Sequence, residues 1–228
     1  MRAIIIMGPP GAGKGTQANL ISKKLGYVHL DTGAYFEELL YDPSFKNNKE
    51  IQKERKIFEF GGLLTPSWVL KTVKEKIKNI AKAKMGIILS GSLRTIYETF
   101  GDKLNKGLLE EIDDNYGRKN IFIFELRVFP KDSIKRNSNR VICSSCGLPL
   151  MKTKKFRFKI GDECPFCGGR LKGRTLDNVK TIKNRLKEYS LRTEPIIAAM
   201  KKKNYKVVKI DGRPKPFTVN KKILSYIL

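Results

Sequence analysis

The sequence predicts an α/β fold: a doubly wound, five-stranded parallel sheet of the phosphate-loop NTPase kind, interrupted by one small cysteine-bearing insertion. Three observations carry that expectation. The apolar run "AIIIM" at 3–7 leads straight into the glycine-rich turn "GPPGAGK" and then into the helical pattern "GTQANLISKKL". Short apolar runs recur along the chain with helix-period stripes between them, as in parallel sheets covered on both faces. All four cysteines lie together between 143 and 167, in the pattern C-x2-C-x17-C-x2-C.

Strands are expected at 3–7, 27–30 ("YVHL"), 86–90 ("GIILS"), 121–129 ("IFIFELRVF") and 205–210 ("YKVVKI"). Most are continuous apolar runs rather than alternating ones, which marks strands buried on both sides. A helix is expected after Thr65 as N-cap and Pro66 at its first position, with Leu70, Val73, Ile77 and Ile80 on one face. A later helix is expected to start from Asp177, with Val179, Ile182, Leu186 and Tyr189 as its stripe. The segment 141–175 lacks helical periodicity and breaks the alternation, so it reads as an insertion. His29, the one histidine, is expected to end the second strand and to pack.

The chain has 228 residues, of which 40% are hydrophobic, enough for one α/β domain with insertions or for two small domains. No apolar run approaches the roughly 20 residues needed to cross a bilayer. The N-terminal run is too short for a secretory signal and ends in the glycine turn, so a cytoplasmic protein with no membrane partner is expected. Net charge is +25, and residues 131–228 hold 26 Lys or Arg against 7 Asp or Glu. Two explanations fit that excess: a generally basic solvated surface, or a polyanionic partner such as nucleotide phosphates or nucleic acid.

Gly8–Lys14 matches G-x-x-x-x-G-K in the strand–loop–helix setting that the motif requires. Glycines let the backbone curl so that successive N–H groups face phosphate oxygens, and the following helix adds its positive end. Lys14 is placed to reach the β and γ phosphates. Cys143, Cys146, Cys164 and Cys167 have zinc-ribbon spacing, with Gly147 and Gly168 permitting the tight turns. Four thiolates close a tetrahedron, which makes a structural site with no catalytic water; zinc and iron both suit it. Metal binding supplies on the order of 10 kcal/mol to a segment too small for its own core.

"MGPPGAGKGTQ", "DTG" at 31–33, "GLLT" at 62–65, "GSLRT" at 91–95, Arg136 and Arg140, the cysteine insertion, and the Arg174–Arg185 pair follow one another in an order that resembles the adenylate kinase family. The resemblance covers essentially the whole chain and is to the long form, whose zinc-bearing insertion is a lid over ATP. It implies a core of residues 1–30, 66–140 and 176–228, a monophosphate-binding arm at 31–65 and a lid at 141–175. It implies that Gly11, Ala12, Gly13, Lys14, Gly15 and Thr16 hold ATP together with Arg136 and Arg140, which stand four apart and are expected on one helix face. On the acceptor side it implies Thr32, Gly62, Leu63, Leu64, Gly91, Arg94, Glu98, Arg174 and Arg185. The catalytic charges would be Lys14, Arg94, Arg136, Arg140, Arg174 and Arg185. The expected chemistry is ATP + AMP = 2 ADP in a monomer, with Mg2+ accompanying ATP and structural Zn2+ in the lid.

The chain departs from the family pattern at five places. Ala34 and Ser90 stand where the family has aspartates that orient the magnesium waters. Asp31, shifted by one position along a strand, is expected to point the other way. Glu37 replaces an arginine for the acceptor phosphate, with Arg55 or Lys56 as substitutes. Glu98 replaces the glutamine that reads adenine; a carboxylate only accepts, which suits the paired donors of guanine and so GMP. Leu176 replaces an aspartate near the lid hinge. A second reading is a non-kinase, ATP-binding zinc-ribbon module for nucleic acid. In it Phe156 and Phe158, set among the lysines of "MKTKKFRFK", would stack bases; the expectation preferred to it is a short β-hairpin with one face packed inward.

Overall fold

The computed structural model describes residues 1–228 except Gly61, Lys154, Thr175 and Leu176, so the departure at Leu176 lies outside the described residues. Five strands form one parallel sheet in the order β2-β3-β1-β4-β8: β1 (Ala3–Met7), β2 (Val28–Asp31), β3 (Ile87–Ser90), β4 (Ile121–Arg127) and β8 (Val207–Asp211). Side chains alternate between two cores. Ile5, Met7, Leu89 and Ile123 enter one core with residues of α4 (Pro66–Lys82), α6 (Leu108–Tyr116) and α9 (Glu194–Lys202). Ile4, Ile6, Ile88 and Phe124 enter the other with α1 (Lys14–Leu25) and α10 (Pro216–Leu224). Burial on both faces explains why β1 reads as an unbroken apolar run; each buried isoleucine contributes about 2 kcal/mol. The crevice at the C-terminal ends of β1 and β3 is where such a sheet places its ligands.

The second strand runs over 28–31, one residue later than the sequence suggests. That shift makes Asp31 the N-cap of α2 (Thr32–Tyr41), where its Oδ1 accepts from the N–H groups of Gly33 and Ala34. A third helix, α3 (Lys49–Glu59), follows within residues 31–65. Helix α4 starts where expected, but the Thr65 side chain makes no capping bond. Its N–H instead donates to Glu54 Oε2 at 2.8 Å, tying α3 to the start of α4.

Three expectations fail for identifiable reasons. Arg136 and Arg140 do not share a helix face: α7 (Pro130–Ser138) ends at Asn139, and Arg140 opens β5 (Arg140–Cys143). Helix α8 (Val179–Glu188) is capped by Asn178, which accepts from the Thr181 N–H, not by Asp177, and Val179 is exposed. The stretch 152–160 forms no strand among its described residues; β5 pairs instead with β6 (Pro149–Met151) and β7 (Leu171–Lys172) in a small antiparallel sheet. Its core is Val141, Cys143, Leu150, Cys164 and Leu171. Between α8 and α9 the chain makes a π turn over Tyr189–Thr193, and a short helix, α5 (Ile96–Phe100), follows the β3 loop.

Candidate active site

Beyond β1 the loop curls as its glycines allow. Gly11 has φ 74°, and a Cβ there would stand 2.6 Å from Asn137 Nδ2 of α7, so both conformation and space demand glycine. Lys14 opens α1 and turns its Nζ back into the loop, donating to the carbonyls of Gly8 at 2.7 Å and Pro9 at 3.0 Å. Burial, with repulsion from Arg94 and Arg185, pulls the Lys14 pKa down to about 7, against the attraction of Asp31.

A cleft opens beside this lysine. It brings together every residue expected on the acceptor side: Thr32, Gly62, Leu63, Leu64, Gly91, Arg94, Glu98, Arg174 and Arg185. Phe36, Phe58 and Val69 give it an apolar wall. Glu188, the last residue of α8, borders it together with Tyr189 and Thr193 of the π turn, which no sequence signal marked. Thr193 Oγ1 donates to the Arg94 carbonyl at 3.0 Å, so the turn locks the backbone that carries the arginine. Arg94 is driven down from its ordinary value by burial, and Arg185 falls to about 9 through burial and the proximity of Arg174, Arg94 and Arg140. Nη1 of Arg185 is buried without a hydrogen bond. Buried cations crowded together in this way make a site that favours anions.

Arg136 and Arg140 stay outside the cleft wall and act on protein groups. Arg136 donates to the carbonyls of Gly212 (2.9 Å) and Arg213 (3.0 Å), and more weakly to Gly11 (3.4 Å), clasping the loop after β8 to the phosphate loop. Arg140 makes a two-point contact with Asp177, at 2.8 and 2.7 Å, and Arg185 Nη1 lies 3.8 Å from the same carboxylate. Asp177 therefore joins the base of the insertion to the arginine cluster, which is why it does not cap α8.

The substituted positions have their own partners. Glu37 lies 3.8 Å from Arg174. Arg55 stacks on Tyr41 and pairs with Glu59, and neither it nor Lys56 is among the cleft residues. Buried Glu98 accepts the Arg94 N–H at 3.0 Å, and burial pushes its carboxyl above the usual range. His29 sits within β2 rather than at its end, and it is a hydrogen-bonding residue more than a packing one. Nδ1 lies 2.6 Å from Asn19 Oδ1, and Nε2 lies 2.7 Å from Ser90 Oγ.

In the insertion the four cysteine Sγ atoms lie within 4.8 Å of one another, with Cys143 to Cys167 at 3.4 Å and Cys146 to Cys164 at 3.9 Å. A tetrahedral centre with metal–sulfur bonds of about 2.3 Å needs sulfurs roughly 3.8 Å apart, so the donor set fits a metal. Gly147 and Gly168, at φ 68° and 73°, close the two C-x-x-C turns. Phe158 packs against this small core, while Phe156 is exposed and lies parallel to it, with centroids 6.0 Å apart.

A phosphate loop at the end of a parallel sheet, facing a cationic cleft walled by a second arm, defines a nucleotide phosphotransferase. The family described as Adenylate kinase matches residues 6–205. An adenylate kinase of Caldicellulosiruptor saccharolyticus is 33% identical over 223 residues, covering 97% of both chains. One of Borreliella burgdorferi is 34% identical over 230 residues, covering 99% of this chain and 98% of its own, and one of Methanocella arvoryzae is 32% identical over 208, covering 91% and 90%. The chain belongs to the adenylate kinase family: it is a phosphotransferase with a phosphate group as acceptor, a nucleoside-monophosphate kinase by type. No helix among the described residues is long and apolar enough to cross a membrane.

Proposed function

We propose that the protein transfers the γ-phosphoryl group of ATP to AMP, giving two ADP, as a cytoplasmic monomer with Mg2+ accompanying ATP and Zn2+ in the lid. Residues 31–65 act as the monophosphate-binding arm, 141–175 as the lid, and 1–30, 66–140 and 176–228 as the core. One observation supports this above the rest: Lys14, Arg94, Arg174 and Arg185 converge on a single cleft, and burial has shifted three of them. Phosphoryl transfer asks little of a protein beyond alignment and positive charge around the equatorial oxygens. In this reading the loop Gly11–Thr16 and Lys14 hold the ATP phosphates. Arg94, Arg174 and Arg185 hold the acceptor and transferring phosphates, and Thr32 with Gly62–Leu64 and Gly91 frames the acceptor nucleoside. Arg136 and Arg140 shape the ATP side by fixing the loop and the lid base, and they reach phosphate only if their present partners release them. The lid excludes water that would compete as acceptor. Zinc suits the closed four-thiolate set, and magnesium supplies charge neutralisation across the β and γ phosphates.

Glu98 supports a second acceptor. Its carboxyl lines the cleft with one oxygen taken by the Arg94 N–H. A carboxylate suits the two adjacent donors of guanine, whereas a protonated carboxyl can donate and accept as adenine requires. Purified protein with Mg-ATP and each of AMP, GMP, CMP and UMP, scored for diphosphate, tests both. Transfer to AMP ahead of the others supports the first reading, preference for GMP the second, and absence of transfer to all four refutes the kinase assignment.

A further inference from the structure

We propose that Asp31 is the carboxylate through which this protein holds the magnesium ion that accompanies ATP. The inference rests on the phosphotransfer reading above. Magnesium in such sites is held by one or two carboxylates together with substrate phosphates, and it must lie beside the phosphate loop.

The carboxylates around the cleft are nearly all engaged. Glu98 accepts from the Arg94 N–H, Glu37 faces Arg174, Asp177 is shared by Arg140 and Arg185, and Glu188 pairs with Arg192 at 2.9 Å. Asp31 differs. Its Oδ1 is fixed by the N–H groups of Gly33 at 3.1 Å and Ala34 at 3.3 Å, while Oδ2 makes no hydrogen bond or ion pair among the described residues. Oδ2 lies 3.6 Å from the point where a side chain on Gly15 would begin, in the first turn after the phosphate loop. Lys14 and Arg94 both sense its charge, yet neither comes within ion-pair distance.

The direction of Asp31 is settled by its neighbour on the strand. Residues two apart on a strand share a face, and His29 contacts Asn19 of α1. Asp31 therefore faces α1 and the loop, the reverse of the sequence expectation. The bond between His29 and Ser90 Oγ at 2.7 Å occupies the serine and holds β2 against β3 behind the carboxylate. The helix cap thus does two things at once: it starts α2, and it pins one oxygen so that the other is presented to the ATP side without an entropic cost at binding.

Asp31→Asn tests this while keeping a good N-cap and the side-chain shape. The affinity of ATP is measured by calorimetry in saturating Mg2+ and again in EDTA, and binding of the Mn2+–ATP complex is followed by electron paramagnetic resonance. The variant is expected to lose about tenfold or more of the magnesium-dependent gain in affinity. Its metal-free ATP binding is expected to hold or tighten, which also reports that it is folded. Glu37→Gln, which removes a nearby charge paired with Arg174, is expected to leave that ratio unchanged. An unaltered ratio in Asp31→Asn, or an equal loss in Glu37→Gln, overturns the proposal. Failure is separable from that of the kinase reading: wild-type protein that transfers phosphate while Asp31→Asn keeps the full magnesium gain sinks only this inference. Asp31-dependent binding of Mg-ATP without any transfer sinks only the kinase.

Discussion

Glu98 Oε2 accepts the backbone N–H of Arg94 at 3.0 Å, so the residue proposed to read the acceptor base also fixes the backbone of the arginine proposed to hold its phosphate. Thr95 caps the same short helix by accepting the Glu98 N–H at 3.1 Å, and Thr193 holds the Arg94 carbonyl. In the proposed reading, base recognition and phosphate recognition are therefore mechanically joined within one turn of chain.

This coupling predicts base specificity that depends on pH. Burial raises the Glu98 pKa, so its carboxyl stays protonated to higher pH than an exposed glutamate. As pH falls through that raised value the group gains a donor and AMP improves relative to GMP; above it the bare carboxylate favours GMP. Glu98→Gln keeps the bond to Arg94 and fixes the donor–acceptor pair. Its ratio of kcat/KM for AMP over GMP is expected to rise about tenfold or more at pH 8 and to become flat with pH. Steady-state kinetics with both nucleotides check it; an unchanged ratio would show that Glu98 does not read the base.

Lys14 predicts proton uptake on ATP binding. With a pKa of about 7 in the free protein, the amine is about half charged at neutral pH. Phosphate oxygens favour the ammonium form and raise the value, so the complex holds more protons than the free protein above pH 7. ATP affinity must then weaken as pH rises from 7, by up to about tenfold per pH unit. Calorimetry in buffers of different ionisation heat measures the uptake directly. Lys14→Met is expected to abolish both the uptake and the transfer, and uptake that persists in this variant would assign the proton to another group.

The features that local chemistry dictates were readable in the chain. The phosphate loop, the paired cysteines and the buried strands each depend on residues a few positions apart, and they stand within two residues of where the sequence placed them. What was hidden depends on partners far away. Asp177 looked like a helix cap, but Asn178 beside it does that work and frees Asp177 for Arg140, 37 residues earlier. Arg136 and Arg140 looked like one helix face until the helix stopped at Asn139 and the β-branched start of β5 took over. The π turn at Tyr189–Thr193 lay within a continuous helical pattern, because a single extra residue per turn leaves no compositional mark.

The cysteine cluster predicts an insertion that unfolds by itself. Its buried core amounts to Val141, Cys143, Leu150, Cys164 and Leu171, far too little apolar area to offset the chain entropy of some thirty residues. The rest of the molecule has two cores of its own on either side of the sheet. Chelation of the metal, or Cys146→Ser, is therefore expected to expose amides across 141–173 to rapid hydrogen exchange while the main thermal transition moves by only a few degrees. Transfer to the acceptor should fall while hydrolysis of ATP to ADP and phosphate, with water as acceptor, takes a larger share of turnover. Metal analysis should give one zinc per chain, whereas iron would announce itself by visible absorption. Exchange protection that survives complete metal removal would mean that the small sheet folds on its own contacts, and the cysteines would then need another explanation.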